Sequence, residues 1–526
     1  MTEPRRVRFS TASSRNLAVL FDEAFAAAGE RPAFLTPAGD VLMSYARLRA
    51  GIGRYANALS VLGVGRGDRV MVQIEKSLAN VMLYLAVMRS GAVYQPLNPA
   101  YTLAETGYFV EDSEPIAIVC DPGRQAEMRA IADRHKVQAV VNLDRHGEGS
   151  LAALAGRMQS DHEAVERSGD DLAGLIYTSG TTGRSKGAML THGNLASNAL
   201  SLHQIWHFEP GDILIHALPI FHVHGLYVAL GTAFLNASAI VWLERFDAEA
   251  IIACLERATV LMGVPTFYAR LLASPHLSRH ACRAMRLFIS GSAPLLAETH
   301  KQFAERTGHR ILERYGMTEA GMITSNPYDG ERTAGTVGYP LPEVSVRVAD
   351  AEGREMRRGE IGILEVKGPN VFKAYWRMPE RSAQEFRADG YFITGDIGTI
   401  DEEGRVSILG RAKDVIISGG FNIYPKEIED ELDRLDGIAE AAVIGAPHPD
   451  WGEAAIAVVI GNGEALSETD IFGRLALRLA KFKLPKRVFF ASELPRNAMG
   501  KLQKAELRQF YADTFTRAST PLLRQQ

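Results

Sequence analysis

The sequence is poor in cysteine and in net charge, and each shortage excludes a class of protein. Cys120, Cys254 and Cys282 are the only cysteines among 526 residues, and none has CxxC spacing. This pattern argues against a disulfide framework and a thiolate metal site, and it favours a reducing compartment. The formal net charge of -4 gives no general attraction to nucleic acid or to an anionic membrane. We therefore expect neither as a partner, and any anionic ligand must meet local positive charge.

Long apolar runs are also scarce. The longest uncharged run, residues 213–243, contains three histidines, Pro219 and Asn236, so we interpret it as buried core and not as a membrane span. Residues 1–15 lack the apolar stretch of a secretory signal. Their arginines leave a transit peptide as the alternative to a simple N-terminal extension, and we expect a cytoplasmic protein.

Strand and helix patterns alternate through the first 340 residues. Residues 67–101 contain a short apolar strand pattern, an apolar set at helical spacing and a second strand around AVYQPL. Similar strand patterns recur at AIVC, AVVNL and LFISGSAP. This alternation predicts an α/β fold in which helices cover parallel sheets.

The pattern changes after about residue 340. Short strands and glycine turns predict a small antiparallel or β-barrel-like subdomain, with DEEG at residues 401–404 as a hairpin turn. A helix opened by Pro425 follows, with Ile428, Leu432 and Leu435 on one face. We predict a large N-terminal domain of α/β subdomains over residues 1–412 and a small α+β domain over residues 413–526.

A loop rich in glycine and hydroxyl groups occupies residues 177–190, YTSGTTGRSKGAML. Its glycines let the backbone approach a ligand closely, its hydroxyls donate hydrogen bonds, and Lys186 adds a positive charge. Such a loop suits the phosphates of a nucleotide, although the Walker spacing is not met. The alternative is a flexible surface turn between the GLIYT strand and a helix that begins near His192.

Four more motifs follow in order: RYGMTE at residues 314–319, YFITGD at 391–396, GRAKDVIISGGFNIYPKEIE from 410, and LPRNAMGK at 494–501. With the loop, they strongly resemble the signature motifs of the adenylate-forming acyl-CoA synthetase superfamily. The resemblance implies a two-step reaction. A carboxylate attacks the α-phosphorus of ATP to give acyl-AMP and pyrophosphate, and a thiol, usually coenzyme A, then displaces AMP. It also implies Mg2+ and a mobile C-terminal domain.

The same resemblance assigns the nucleotide site. Glu319 would bind Mg2+ with Thr182, Asp396 and Arg411 would contact the ribose, and Lys501 would act in adenylation. Each of these alone has a plainer interpretation as a turn or surface residue. The remaining implied ATP contacts are Thr178, Ser179, Gly180, Thr181, Gly183, Lys186, Gly291, Tyr315 and Thr318.

The resemblance also implies a domain rotation. Lys413 occupies the position of the family's hinge. Rotation about it would replace the Lys501 loop by the face that contains Gly420, on which coenzyme A reacts. A plain interdomain linker is the alternative.

The acid is predicted from less specific segments. A buried arginine needs an anion, and its planar fork suits a carboxylate, so we expect Arg270 to be buried and to bind the distal carboxylate of a short diacid. The chain looks most like the malonyl-CoA synthetase branch, with Ser290 near Arg270. His222 and His224 would then close over the acyl-AMP, with His222 catalytic. The alternatives are a surface arginine and core histidines.

Ala320 and Gly321 depart from what we expect of that branch, and small residues there would enlarge the pocket enough to accept methylmalonate or another substituted malonate. Three other functions stay open: a CoA ligase for an aryl or medium-chain monocarboxylic acid, a stand-alone adenylation domain that loads a carrier protein, and a non-catalytic nucleotide-binding module. We expect only small-molecule partners and a monomer or weak homodimer.

Overall fold

The computed structural model describes residues 16–178, 185–419, 421–463, 466–497 and 500–515. These residues form two compact units. The first unit comprises the described residues within 1–334, 338–345 and 366–392, and the second those within 335–337, 346–365 and 393–526. The predicted domain division between residues 412 and 413 stays a prediction.

The strands of the first unit are, in chain order, β1 (Pro32–Leu35), β2 (Val41–Ser44), β3 (Arg69–Gln73), β4 (Val93–Pro96), β5 (Ala117–Cys120), β6 (Ala139–Asn142), β7 (Leu172–Thr178), β8 (Lys186–Thr191), β9 (Ile213–His216), β10 (Ala239–Trp242), β11 (Val260–Gly263), β12 (Leu287–Ser290), β13 (Leu312–Met317), β14 (Gly321–Ser325) and β15 (Tyr339–Pro340).

Its helices are α1 (Leu17–Ala28), α2 (Tyr45–Val61), α3 (Leu78–Arg89), α4 (Leu103–Ser113), α5 (Gln125–Arg134), α6 (Ser150–Ala155), α7 (His192–Ile205), α8 (Gly231–Leu235), α9 (Ala248–Cys254), α10 (Pro265–Ala273), α11 (Ala297–Thr307) and α12 (Pro379–Gln384). A π-helix, His224–Leu230, directly precedes α8. Within the described segments, no helix combines the length and the apolar character that crossing a membrane requires.

Two sheets organise the first unit. One has the strand order β6-β5-β3-β4-β7-β8, and the other β15-β14-β13-β12-β11-β9-β10-β1-β2. Neighbouring strands run parallel at the centre of each sheet, for example β3 with β5 and β11 with β12, and antiparallel pairs lie at the edges. Central strands such as β5 and β11 are buried along their whole length, as expected when helices cover both faces.

A buried lysine connects the two sheets. Lys76, shortly after β3, donates from Nζ to the carbonyl oxygens of His216 at 3.0 Å and Leu243 at 2.6 Å. Those residues lie at the ends of β9 and β10. The ammonium group also lies 4.2 Å from the centre of the Trp242 ring. Burial lowers the pKa of Lys76 well below its ordinary value.

The second unit contains β16 (Ser345–Ala349), β17 (Gly362–Lys367), β18 (Phe392–Ile400), β19 (Val406–Arg411), β20 (Ile416–Ser418), β21 (Phe421–Ile423), β22 (Ile438–His448), β23 (Gly452–Gly461) and β24 (Arg487–Phe490), three of which begin or end in the first unit. Its helices are α13 (Pro425–Leu432), α14 (Glu468–Leu475) and α15 (Lys504–Phe510). Strands β16-β17-β18-β19 form one sheet, and β21-β20-β23-β22 with β24 form another.

The long hairpin β22–β23 gives the second unit two small cores. Ala441 and Val443 point into one apolar cluster, whereas Ala442 and Ile444 point into another on the opposite face. This is the period-two pattern of a strand covered on both sides. Residues of α13 and α14 fill the first cluster, and Leu507 of α15 lies in the second.

The α/β fold predicted from the sequence is confirmed, including β3–α3–β4 within residues 67–101 and the turn at 401–404 between β18 and β19. Residues 213–243 form β9, the π-helix, α8 and β10, so the interpretation as core is also confirmed. One expectation was wrong. The stretch 177–190 is not a loop throughout, because its second half forms β8, which pairs antiparallel with β7. The helix expected near His192 does begin there, as α7.

Candidate active site

The hydroxyl-rich loop connects β7 and β8. Thr178, the last residue of β7, pairs with Lys186, the first residue of β8. Of the predicted loop residues, Ser179, Gly180, Thr181, Thr182 and Gly183 lie outside the described residues. The hairpin therefore places one hydroxyl group and the predicted phosphate lysine side by side.

The carboxylate of Glu319 lies beside the end of this hairpin. Glu319 is buried in the turn between β13 and β14. Its Oε1 accepts hydrogen bonds from the Tyr375 hydroxyl at 3.0 Å and from Thr178 Oγ1 at 3.4 Å. Neighbouring Thr318 is half-buried, and Tyr315 is buried on β13. The structure thus brings Glu319, Thr178 and Lys186 into one region, linked through Tyr375.

The donor chemistry at Glu319 fits a hard cation. Mg2+ prefers oxygen ligands and is held in nucleotide sites by one or two carboxylates together with phosphate oxygens. A buried carboxylate with a neighbouring hydroxyl group supplies such ligands. Within the residues that the structure describes, no cluster of three or more acidic, histidine or cysteine ligands is present. An ion at Glu319 would therefore take further ligands from its substrate, and the predicted partner Thr182 lies outside the described residues.

Two residues that the sequence did not single out complete this region. Glu385, just after α12, accepts from Lys186 Nζ at 2.9 Å and from the Tyr375 hydroxyl at 3.1 Å. The Lys186 ammonium lies 4.1 Å from the centre of the Tyr375 ring. Tyr375 lies in the segment KGPNVFKAYW, residues 367–376, where no pattern distinguishes it from a core aromatic residue.

The second predicted region forms around the ends of β12 and the π-helix. His224 and Ser290 are buried, and His224 Nε2 and Ser290 Oγ have no hydrogen-bond partner among the described residues. His224 Nδ1 lies 3.2 Å from Ser292 Oγ. Burial, and after it the nearby charge of Arg314, lowers the pKa of His224. His224 is therefore a neutral imidazole whose free nitrogen can meet a ligand.

His222 lies at the entry to the π-helix and is half-buried. Its Nδ1 accepts from the backbone N–H of His224 at 3.3 Å. Because Nδ1 is the acceptor, the neutral ring carries its proton on Nε2. His222 is therefore oriented by the backbone and presents a donor.

Arg314 is the residue that the sequence missed in this region. It is buried next to Gly291, and its Nε and Nη2 have no hydrogen-bond partner among the described residues. Burial lowers the pKa of Arg314 to about 9, so the side chain is still a cation at neutral pH. A buried cation of this kind requires an anion. The signal was present in the RYGMTE motif, whose arginine is followed by the residues of the nucleotide site.

The expectation that Arg270 is buried was wrong. Arg270 is exposed, and its guanidinium lies 5.7 Å from the centre of the Phe246 ring. On α10 the buried positions are Phe267, Tyr268 and Leu271, so helical spacing places residue 270 on the outer face. Its contact with a carboxylate stays a prediction.

The second unit brings another group of predicted residues together. Asp396 and Arg411 face each other across β18 and β19, and Arg411 Nε lies 3.0 Å from Asp396 Oδ1. Lys413 follows in the 3-10 turn Ala412–Asp414. Lys501 is exposed as a whole, yet partial desolvation, followed by the charge of Arg411, lowers its pKa. Predicted Gly420 lies outside the described residues.

The chain is similar to known proteins over most of its length. Residues 21–376 match the family described as AMP-binding enzyme, and residues 427–501 match the AMP-binding enzyme C-terminal domain. The crystal structure of ATP-bound MatB from Rhodopseudomonas palustris is 53% identical, with a TM-score of 0.92, and the match covers 95% of this chain and 99% of that chain.

Two curated relatives have names that specify different acids. A malonate–CoA ligase of Arabidopsis thaliana is 35% identical over 482 residues, which cover 84% of this chain and 78% of the relative. A feruloyl-CoA synthase of Amycolatopsis sp is 34% identical over 476 residues, which cover 90% of this chain and 94% of the relative. Overall similarity of this degree does not by itself select the acid.

Proposed function

This chain belongs to the family of AMP-binding enzymes, and we propose that it is an ATP-dependent acid:CoA ligase that converts malonate or methylmalonate to the CoA thioester through an acyl-AMP. Membership of the family confirms the resemblance that the motifs indicated. ATP, Mg2+ and coenzyme A are the proposed partners of the reaction. The proposal of a diacid depends on the residues around Arg314.

The observation that supports a diacid is a group of buried, unpaired polar atoms in the first unit. Arg314 Nε and Nη2, His224 Nε2 and Ser290 Oγ are buried and lack partners among the described residues. Buried donors of this kind cost stability unless a ligand satisfies them. A second carboxylate would match the fork of a guanidinium with two hydrogen bonds, whereas an aryl or alkyl tail would leave it unpaired. Exposed Arg270 is proposed as an additional contact for the same carboxylate.

Adenylation joins two anions, so the proposed role of the protein is to bring positive charge to them and to hold them in line. Lys186 would bind phosphate oxygens, and Lys501 would bridge the acid and the α-phosphate. Asp396 would accept from the ribose hydroxyls, with Arg411 beside it. Mg2+ held by Glu319 would neutralise phosphate oxygens and orient them. No protein nucleophile is required.

Thioester formation needs Lys501 to leave and the thiol to enter. We propose that the C-terminal domain turns about Lys413 after adenylation, so that the face that contains Gly420 replaces the Lys501 loop. His222 and His224 would close the acyl-AMP from water during the exchange. The thiolate sulfur then attacks the acyl carbon, and AMP leaves with the electron pair of the broken bond.

Pyrophosphate release from ATP across a panel of acids tests the proposal. We expect malonate and methylmalonate to support release far better than acetate, succinate, benzoate or octanoate, with AMP formed in equal amount when coenzyme A is present. Preference for benzoate or octanoate would instead favour the monocarboxylic acid ligase, which the feruloyl-CoA synthase relative keeps open. Thioester made without AMP would contradict the acyl-AMP route altogether.

The thiol that accepts the acyl group needs a separate measurement. The enzyme is incubated with ATP, malonate and either coenzyme A or a phosphopantetheinylated carrier protein, and the thioester formed is measured. This comparison distinguishes a CoA ligase from a carrier-loading adenylation domain. We expect the CoA thioester to form in preference. We also propose a cytoplasmic enzyme, consistent with the three free, buried cysteines, and a monomer or weak homodimer, which sedimentation would measure.

A further inference from the structure

A chain of hydrogen bonds connects the proposed cation carboxylate to the lysine of the phosphate loop. The Tyr375 hydroxyl lies 3.0 Å from Glu319 Oε1 and 3.1 Å from Glu385 Oε2. Glu385 Oε1 in turn accepts from Lys186 Nζ at 2.9 Å. We call these four side chains the Tyr375 bridge. They come from three segments that are far apart in sequence.

The Tyr375 hydroxyl cannot donate to both carboxylates of the Tyr375 bridge at once. A tyrosine hydroxyl donates a single hydrogen bond, yet two carboxylates lie within hydrogen-bond distance of this one. A tyrosine hydroxyl carries its proton at neutral pH, so this one has a single hydrogen to donate. At any moment, therefore, the Tyr375 hydroxyl donates its hydrogen to one carboxylate and turns a lone pair of its oxygen toward the other.

The charges around the Tyr375 bridge show what Glu385 does. Arg381 Nη2 lies 2.7 Å from Glu385 Oε1, the same oxygen that Lys186 contacts. Two cations, Arg381 and Lys186, thus share one carboxylate. Their combined charge exceeds that of Glu385, so the pair can also attract a phosphate group. Glu385 therefore holds the lysine in place without neutralising it, and Tyr375 contacts both the carboxylate and the ammonium group.

We propose that Tyr375 and Glu385 are positioning residues that couple Glu319 to Lys186, an inference that rests on the proposed ATP-dependent function. Without a cation on Glu319, the Tyr375 hydroxyl donates to Glu319. Once a cation satisfies Glu319, the hydroxyl rotates to Glu385 and fixes the carboxylate that holds Lys186. The lysine is then most firmly placed when the nucleotide and its cation are both bound.

Calorimetric titration with ATP and Mg2+, without any acid, tests this coupling on Tyr375→Phe, Glu385→Gln and the double variant. Both substitutions keep the shape of the side chain. We expect each single variant to raise the Kd of ATP about tenfold, the value of one charge-assisted hydrogen bond. The double variant should bind no more weakly than the weaker single variant, because both changes act on the same hydrogen bond. Pyrophosphate release should show a raised KM for ATP with a smaller change in kcat.

The matched control is Glu380→Gln. Glu380 is an exposed glutamate in the first turn of α12, the helix that ends just before Glu385, and its replacement should leave the Kd of ATP unchanged. Binding stoichiometry reports the folded fraction, so partial misfolding would lower stoichiometry without changing affinity. Unchanged Kd values in both single variants, or multiplied effects in the double variant, would overturn the coupling. Failure of the proposed function would appear differently, as absence of pyrophosphate release by the wild-type enzyme with every acid.

Discussion

Arg314 occupies the space that a side chain at Gly291 would need. A β carbon built on Gly291 would lie 2.4 Å from Arg314 Nη1 and 2.5 Å from its Cζ. Glycine at this position therefore lets the guanidinium lie against the end of β12, beside Ser290. The absence of one side chain sets the position of a buried charge.

Replacing Gly291 by alanine should displace that charge. Because the new methyl group would overlap the guanidinium, Arg314 or β12 must move. We expect the KM for malonate to rise at least about tenfold and the free energy of unfolding to fall by about 1–3 kcal/mol. Gly107→Ala is the control, since nothing lies within 4 Å of the added carbon there. Equal kinetics in the two variants would show that Arg314 does not depend on Gly291.

The two arginines can be separated by their substrate preference. Arg314→Gln should lower kcat/KM for malonate about a hundredfold, the expected loss of a bidentate ionic contact, while a monocarboxylic acid loses much less. Arg270→Ala should likewise harm malonate turnover more than octanoate turnover if it also meets the distal carboxylate. Steady-state pyrophosphate release with both acids measures this. Equal losses with both acids would remove the variant residue from the diacid site.

Lys501 should matter for one half-reaction only. We expect Lys501→Ala to abolish pyrophosphate release from ATP and malonate, yet to spare conversion of preformed malonyl-AMP to malonyl-CoA. Lys481→Ala, which changes an exposed lysine of the same unit, serves as control. Chromatographic assay of each half-reaction decides the matter, and a similar loss in both would contradict alternating roles for the C-terminal domain.

Lys76 should be important for folding and not for chemistry. Lys76→Met would leave the carbonyl oxygens of His216 and Leu243 without their donor, and we expect a loss of about 3 kcal/mol in the free energy of unfolding. Lys301→Met, at an exposed position on α11, should change stability by less than about 0.5 kcal/mol. Denaturant unfolding measures both, and a stable Lys76→Met variant would show that the two sheets do not need this connection.

We expect buried His192 to make the stability of the fold sensitive to acid. Neither of its ring nitrogens has a partner among the described residues, and burial, followed by the charge of Arg167, lowers its pKa to about 4. In the unfolded chain, the histidine side chain takes up a proton at about pH 6.5. The contribution of neutral His192 to the free energy of unfolding is therefore fully present above that pH. It is lost as the pH falls from about 6.5 to 4, by about 3 kcal/mol.

His192→Leu should remove that part of the acid dependence. Denaturant unfolding at pH 7.5 and pH 4.5 compares the variant with the wild type, and His135→Leu on the exposed surface is the control. We expect the stability difference between the two pH values to shrink in His192→Leu and to persist in the control. An unchanged difference would assign the acid sensitivity to other buried histidines.

The sheets were predictable because their central strands are short, continuous apolar runs, as at β5 and β12. The strand β8 was not, because Lys186 and Gly187 at its start resemble a continuing loop, and its partner β7 is chosen by tertiary pairing. Burial of Arg270 was misjudged because apolar neighbours were weighed without helical spacing, which points the residue outward.

Candidate site residues could be named from the sequence only where a motif marked them. Glu319, Asp396 and Arg411 stand in segments whose residue order is distinctive. Tyr375 and Glu385 do not, since a tyrosine in an apolar run and a glutamate in a polar helix are ordinary residues. Their roles arise from contacts between residues that are 56 and 199 positions apart, and sequence spacing carries no information about such contacts.

The π-helix His224–Leu230 has a consequence for how this enzyme can change over generations. A π-helix holds one residue more per turn than the α-helix that would replace it. Deleting a single codon there would let α8 keep its place in the core while turning His224 by about 100° around the helix axis. An insertion or deletion at this point would therefore redirect His224 with the fold preserved.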